Sequence, residues 1–526
     1  MAERIHIDAA RLEKDESFAA DVAIVGSGAG GAVAAEILAR AGLQVVLIEA
    51  GGYHTAKDFN GREGEAFRTL YWDAASRKTK DKAITLLQGR TVGGSTVVNW
   101  TASFRTPPET LAHWAEAFAV KETDAEHMAP WFEMVERRLS VAPWDVPPNA
   151  NNAALGRGCE RLGWHHGVVS RNVRDCWDLG YCGYGCPTNA KQSMLVTTIP
   201  AALDHGAILI SHARAMTVET ERDRVTHVEC LALDSESLHP TGRKLRVHAN
   251  HVIVAGGGIN GPGLLLRSRL PDPHRRLGKR TFLHPVNALA GELPEKVLPF
   301  EGAPQSIYSD AFLWRDGVTG KAGYKLEVPP LFPVQAAIAI PLFGDVHATG
   351  MAALPHTHAI LALMRDGFHP SFSGGRVLLQ SDESPVLDYQ TNAFHWEGFQ
   401  HAYLSMAELS FAAGAKSVFP VHREARPYES WREAKRAIKE GLSMKPPRAL
   451  AFSAHIMGGC AMSEDARLGV VDSFGRHHQI EGLSVFDGSL FPTSLGVNPQ
   501  ISIYALVARN AARLAEALAG HPVGFA

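Results

Sequence analysis

His455 in "SAHIMGGCAM" and Asn498 in "GVNPQISIYALV" carry the side chains best suited to moving a proton. Histidine titrates near working pH and can accept a proton from a hydroxyl. An asparagine amide can hold the same oxygen through its NH₂. Each residue also has a plain structural reading. A histidine beside a glycine turn is often a core residue held by backbone groups. Asparagine is a favoured helix N-cap and Pro499 a favoured first helical residue, so "NPQISIYALVARNAARLAEAL" reads as a helix that starts well. What decides is whether another part of the chain binds a group that works with them.

The stretch "DVAIVGSGAGGAVAAEILARAGLQVVLIEAGG" supplies a candidate. "DVAIV" is a short apolar run suited to a parallel strand buried on both faces. Gly26, Gly28 and Gly31 follow as G-x-G-x-x-G. The first permits a tight turn, the second lets the backbone approach a pyrophosphate, and the third lets the helix pack on the strand. Amides at that helix N-terminus face phosphate groups. "QVVLIEAGG" is the second strand, and Glu49 at its end stands where a ribose hydroxyl partner is expected. The unit reads as a dinucleotide site, and Glu49 disfavours a 2′-phosphate.

From 87 to 100 the chain reads "LQGRTVGGSTVVNW". Two glycines and two hydroxyls in succession can lay backbone amides against a phosphate or a flavin ring. Together with the N-terminal unit, this loop resembles the glucose–methanol–choline (GMC) oxidoreductases, whose G-x-G-G-S-[ST]-x-x-N loop lies against FAD. The match falls on Gly93, Gly94, Ser95, Thr96 and Asn99, with Thr91 in place of the family's first glycine. "VIVAGGGINGPGLLLRSRL" is similar to the family's second motif, with Asn260-Gly261-Pro262 where Ser or Thr before Pro is usual. The C-terminal block resembles the family at Asp487, at the "DGSLFP" turn and in the closing helix. Within the family, "SAHIMGGCAM", "DGSLFPTSLGVNP" and "CGYGCPTNAKQS" look most like the long-chain fatty alcohol oxidase and dehydrogenase branch, and next like cholesterol oxidases.

The resemblance implies an α/β fold. A Rossmann-like FAD-binding domain, of the GMC and glutathione-reductase type, would stand beside an α+β substrate domain built on an antiparallel sheet. Residues 1–107, 190–285 and 450–526 would form the first, and 108–189 and 286–449 the second. The implied cofactor is FAD, held by Gly26, Gly28, Gly31, Glu49, Gly93, Gly94, Ser95, Thr96, Asn99, Asp487 and Pro499. His455 then stands like the family's catalytic base, and Asn498 like the His or Asn that accompanies it. The helix after Asn498 would aim its positive end at the flavin's pyrimidine side, where negative charge develops on reduction. The implied reaction oxidises a primary, long-chain alcohol to its aldehyde, with hydride passing to flavin N5. Two alternatives stay open: a sterol or other alcohol as substrate, and a hydroxynitrile lyase that keeps FAD without redox use. The electron acceptor is open between oxygen, a quinone and a redox protein.

Composition sets outer bounds. With 526 residues and 45% hydrophobic content, the chain is long enough for two or more domains. A net charge of -3 lacks the basic footprint of a nucleic-acid binder. The N-terminus has no basic segment before an apolar run, and no window reaches the ~18 apolar residues of a membrane span. The six cysteines fit a reduced interior. The expectation is a cytoplasmic chain, with peripheral membrane attachment left open.

Other residues invite a functional reading. Cys176, Cys182 and Cys186 are close enough to suggest an iron–sulfur cluster, but their C-x5-C-x3-C spacing differs from that of cluster-bearing relatives. A glycine-rich lid with buried thiols is the expectation. His477 and His478 are expected in a solvated turn and His284 near the cofactor. His347, His356 and His358 lack zinc spacing, so no metal is expected. Glu327 is the carboxylate expected to enter the substrate cavity as a second candidate base. The uncharged run "PPLFPVQAAIAIPLFG" reads as buried core first and as the wall of an apolar tunnel second. "HARAMTVETERDRVTHVECLAL" and "GRKLRVHANHVIVAGG" are expected as a small sheet beside the main one.

Overall fold

The computed structural model describes residues 4–521 and 523–524. The first three residues of the expected segment 1–107, and residues 522, 525 and 526 of the expected segment 450–526, lie outside it. Strand Glu16–Val25 stands at the centre of the first sheet, and Val22 to Ile24 are fully buried. It pairs in parallel with Val45–Ile48 on one side and Pro240–Val254 on the other. All of Val45–Ile48 is buried, as a parallel strand covered on both faces requires.

The sheet has eight strands. Its order runs Ile5–Asp8, Ile208–Ser211, Val45–Ile48, Glu16–Val25, Pro240–Val254, Arg224–Leu233 and Ala213–Glu221, with Leu483–Val485 also paired to Pro240–Val254. The strands of residues 213–254, expected as a separate small sheet, are therefore part of this one. The 15-residue strand Pro240–Val254 explains the difference, since it pairs with Arg224–Leu233 and with Glu16–Val25 along one continuous length. Helix Ala29–Arg40 is buried from Gly30 to Ala39, and its alanines let it pack against the closing helix Gln500–Ala519.

A second eight-stranded sheet runs Ile84–Leu86, Ala451–Ser453, Val286–Glu292, Thr357–Met364, Tyr324–Glu327, Ile307–Phe312 and Gly167–Val168, with Ser417–Pro420 also beside Val286–Glu292. Helix Ala393–Ala413 covers one face. It begins at a capping box on Asn392 and ends at Gly414 in the left-handed conformation. The other face opens on a cavity. Strands Ile84–Leu86 and Ala451–Ser453 come from segments assigned above to the FAD domain, so the expected boundaries at 107 and 450 do not separate the two sheets.

The uncharged run is core only at its start, where Pro329, Pro330 and Phe332 are buried. From there it forms helix Pro333–Ala339, in which only Ala336 is buried, and the turn before helix Asp345–Ala352. Ile338 and Phe343 are 71% and 91% exposed. Among the described residues, no helix is long and apolar enough to cross a membrane.

Candidate active site

One cavity of about 1440 Å³ runs from the glycine turns of the first sheet to the open face of the second. A pocket for one small ligand measures ~300–1,000 Å³, so this one has room for a cofactor and a substrate. Gly26 has a φ of 104°, and a Cβ there would lie 2.3 Å from the Ala255 carbonyl oxygen. A Cβ on Gly31 would lie 1.8 Å from the Gly26 carbonyl oxygen, so the helix packs directly on the turn. Gly28 opens helix Ala29–Arg40 and meets Gly94 of the second glycine turn.

Ser27 joins these parts. Its N–H and hydroxyl donate to Glu49 Oε2 at 3.0 and 2.6 Å, and its Oγ accepts from Gly93 N–H at 3.0 Å. Glu49 Oε1 accepts from Gly51 N–H at 2.9 Å. Burial raises the Glu49 pKa, and these donors oppose that rise. The carboxylate still lines the cavity and keeps lone pairs for a ribose hydroxyl.

Gly93 and Gly94 both have positive φ and start a short turn over Gly94–Val97. Ser95 Oγ accepts from Gly89 N–H at 2.9 Å, and the Thr96 hydroxyl donates to the Gly93 carbonyl at 2.6 Å. Asn99 Nδ2 donates to Gln500 Oε1 at 2.7 Å, while its buried Oδ1 has no partner among the described residues. Across the cavity, Asp487 accepts from Gly257 and Ser489 N–H at 2.6 and 2.7 Å, and burial raises its pKa. Helix Gln500–Ala519 opens its N-terminal end on the cavity with Pro499 as N-cap. Two facing glycine turns, an orphaned amide oxygen and a helix N-terminus fit the phosphates and ring edge of FAD.

The helix start corrects one expectation. Asn498 lies outside the helix and does not cap it. Its Nδ2 instead donates to Glu327 Oε2 at 3.1 Å, and its Oδ1 has no partner among the described residues. A carboxylate only accepts, so Glu327 dictates which end of the amide faces it. Glu327 does not enter the cavity as expected. It is fully buried, its Oε2 takes the amides of Gln305 and Asn498, and Lys325 Nζ lies 3.2 Å from its Oε1. Gln305 and Asn498 line the cavity and Glu327 sits behind them.

His455 follows strand Ala451–Ser453, is half-buried and lines the cavity. Its N–H donates to Ser453 Oγ at 3.1 Å, and that hydroxyl donates to the Leu283 carbonyl. Its Nδ1 lies 3.1 Å from Nδ1 of His284. His284 is fully buried at a φ of 50°, behind His455 rather than facing the cofactor cavity, and its N–H donates to Asp366 Oδ1 at 3.1 Å. Burial first, and then the charge of Lys325, push the His455 pKa down to about 4. Burial also holds His284 well below its ordinary value, so both rings are neutral at neutral pH.

The chain matches two family models described as GMC oxidoreductase, over residues 47–286 and 371–507, and one described as FAD binding domain, over residues 19–58. The chain belongs to the GMC oxidoreductase family. Its cofactor is FAD. This GMC chain is 31% identical to the long-chain-alcohol oxidase FAO4B of Arabidopsis thaliana, over 92% of its own length and 65% of that protein's. It is 32% identical to an uncharacterized GMC-type oxidoreductase of Mycobacterium tuberculosis, over 93% of itself and 74% of that protein. It spans 65% and 66% of the lengths of FAO4B and FAO1 of Arabidopsis thaliana. A formate oxidase of Aspergillus oryzae shares the fold at a TM-score of 0.70 and 16% identity, covering 96% of this chain and 99% of that one.

Other readings change in this GMC oxidoreductase. Cys176, Cys182 and Cys186 are free and half-buried rather than buried. Among the described residues, no three His, Cys, Asp or Glu side chains converge as a metal site. Lys191 ties the cysteine segment to the cofactor loop, its Nζ donating to the carbonyls of Cys182 and Asn99 at 2.7 and 3.0 Å. His477 is not solvated, for it is 8% exposed and burial pushes its pKa down to about 4. His478 bonds the Ser463 carbonyl at 2.9 Å. Lys325, Gln305, Ser453 and Asp366 were not singled out from sequence. They act through contacts between distant segments, which no motif spacing signals.

Proposed function

We propose that this GMC oxidoreductase oxidises a primary, long-chain alcohol to its aldehyde. The observation that carries the reading is that His455 and Asn498 both line the one cavity that joins the glycine turns to the apolar face of the second sheet. The 31% identity to a long-chain-alcohol oxidase supports the substrate class. The residues that would hold FAD are Gly26, Gly28, Gly31 and Glu49, the turn of Gly93 to Thr96, Asn99, Asp487 and Pro499.

Bound FAD supplies the hydride acceptor. The chain holds the carbinol carbon, removes the hydroxyl proton and keeps water out. His455 takes that proton at Nε2. In the tautomer this role needs, its Nδ1 donates to His284 Nδ1, 3.1 Å away, which leaves the Nε2 lone pair free. Asn498, fixed by Glu327, turns its remaining amide capacity to the same oxygen. The N-terminus of helix Gln500–Ala519 adds positive potential on that side.

The apolar supply of such a substrate fits a lipid surface. Ile338 and Val346 line the cavity and are 71% and 51% exposed, and Phe343 beside them is 91% exposed. We infer peripheral docking of this roof on a bilayer, and oxygen as the final acceptor from the oxidase relatives. Anaerobic mixing with dodecanol tests the main reading, since alcohol oxidation bleaches the flavin and a redox-silent lyase does not. Faster bleaching by glucose or choline than by dodecanol would refute an apolar substrate.

A further inference from the structure

The apolar part of the cavity has a periodic floor. Strand Val286–Glu292 runs through it with the two-residue period of a strand. Asn287 and Gly291 face helix Ala393–Ala413, where Asn287 Nδ2 donates to the Phe399 carbonyl and Gly291 packs on Ser410. Leu289 belongs to the core on that same side. By that period Val286, Ala288, Ala290 and Glu292 point to the cavity side, and all four line it, together with Leu289 and Gly291 between them.

The antiparallel register places a neighbour on each side of these residues. Val286 lies between Phe452 and Leu363, which makes a first rung. Ala288 pairs with Leu361, and its carbonyl accepts from Val421 N–H on the other side. Ala290 lies between Ala359 and Phe419. Glu292 lies between Thr357 and Ser417, and this fourth rung is polar. Every one of these neighbours lines the cavity.

The first rung adjoins the reacting end. Val286 follows His284 by two residues, and Phe452 precedes His455 by three. From there to Glu292 is six residues, or about 20 Å at the rise of a strand. The middle rungs are shallow because Ala288, Ala290 and Ala359 are small. Leu342 and Ile338 close the roof above the cavity. An extended aliphatic chain laid along the strip would meet apolar side chains for three rungs. At the fourth it would meet the Glu292 carboxylate and the Ser417 hydroxyl, which lose hydration to an apolar tail, beside the Thr357 hydroxyl that donates to the Ala353 carbonyl.

We propose that this strip binds the substrate's aliphatic tail, and that Ala290 and Ala359, backed by the polar rung of Glu292, Thr357 and Ser417, set the longest chain accepted. The proposal rests on the alcohol reading and adds the residues that measure the chain. While methylenes enter the strip, kcat/KM should rise about fourfold with each one. The rise should end where the tail reaches Glu292.

The test is anaerobic flavin reduction by a series of primary alcohols, from butanol to octadecanol, in the parent and three variants. Ala290→Leu and Ala359→Leu should keep bound FAD and lose the rise at a shorter chain than the parent. Glu292→Leu should carry the rise to longer chains. Bound FAD and a parent-like melting temperature show that a variant is folded. If Ala290→Leu loses FAD, Ala359→Leu and Glu292→Leu probe the strip from the other strand and the other rung. A parent that shows the rise, with Ala359→Leu and Glu292→Leu matching its profile, overturns the strip alone. A parent that no alcohol reduces overturns the alcohol reading and the strip with it.

Discussion

The Nδ1 atoms of His284 and His455 lie 3.1 Å apart, and both rings are neutral, so one of them donates and the other accepts. Donation from His455 keeps its Nε2 free as a base. His284 is held for this from behind, by Asp366 on its backbone and by the Ser453 bridge between Leu283 and His455. His284→Ala should keep FAD and slow flavin reduction by about 10–100-fold, by analogy with the loss of a partner that orients a metal-bound histidine. His284→Asn should recover part of the rate, because its amide oxygen accepts a hydrogen bond and asparagine tolerates the positive φ found there. Equal rates for the Ala and Asn variants would remove the orienting role.

The pH dependence follows from the burial of His455 and, after it, from the charge of Lys325. The base works when neutral, and its pKa is about 4, so flavin reduction should be flat near neutrality and fall only as pH drops through about 4. Lys325→Met with Glu327→Gln removes both buried charges together, which avoids stranding one of them. Loss of the nearby cation favours the imidazolium, so the acid limb should move up in pH. An acid limb in the same place in parent and double variant would assign the low pKa to burial alone.

Asn498 and Glu327 form a pair, not a helix cap with a neighbour. Asn498→Asp sets two carboxylates against each other and should destabilise the protein. Adding Glu327→Gln restores a donor opposite the introduced carboxylate. A double-mutant cycle by denaturant unfolding should show a coupling of ~0.5–3 kcal/mol between the two positions. Additive effects would deny the contact.

Among the described residues, His358 has no hydrogen-bond partner on either ring nitrogen, and burial pushes its pKa down to about 4. The unfolded chain therefore binds a proton here before the folded protein does. This position costs stability as pH falls from about 6.5 to about 4, and the cost then levels off. His358→Met should gain on the parent across that window, by up to about 3 kcal/mol at its lower end. Parallel stability curves for the two proteins would contradict this.

The first glycine turn and Glu49 were legible in the sequence because their spacing is dictated by local backbone geometry, whereas Asp487 was legible through family resemblance. Gly26 must take a positive φ, and Gly31 leaves no room for a Cβ, so both persist as a pattern within one short segment. His455 and Asn498 were legible only through family resemblance, and the structure brings them to one cavity from opposite sides of the C-terminal block. The role of Asn498 was misread, because an Asn-Pro pair is the ordinary start of a helix and Glu327 lies 171 residues away. His284, Lys325 and the four rungs depend on strand register between distant segments. The run from 329 to 344 looked like core because it is uncharged, yet it roofs a cavity and leaves Ile338 and Phe343 in contact with solvent.

The most direct measurement of the central claim is the rate of anaerobic flavin bleaching by dodecanol in the parent and in His455→Ala. Removal of a general base typically costs about 10²–10⁴-fold in rate. The parent should bleach, and the variant should keep FAD and bleach slower by that factor, with a residual rate that rises with pH as solvent hydroxide takes over. Bleaching of His455→Ala at the parent's rate would contradict the assignment and leave His455 a cavity-lining residue without a part in the proton transfer.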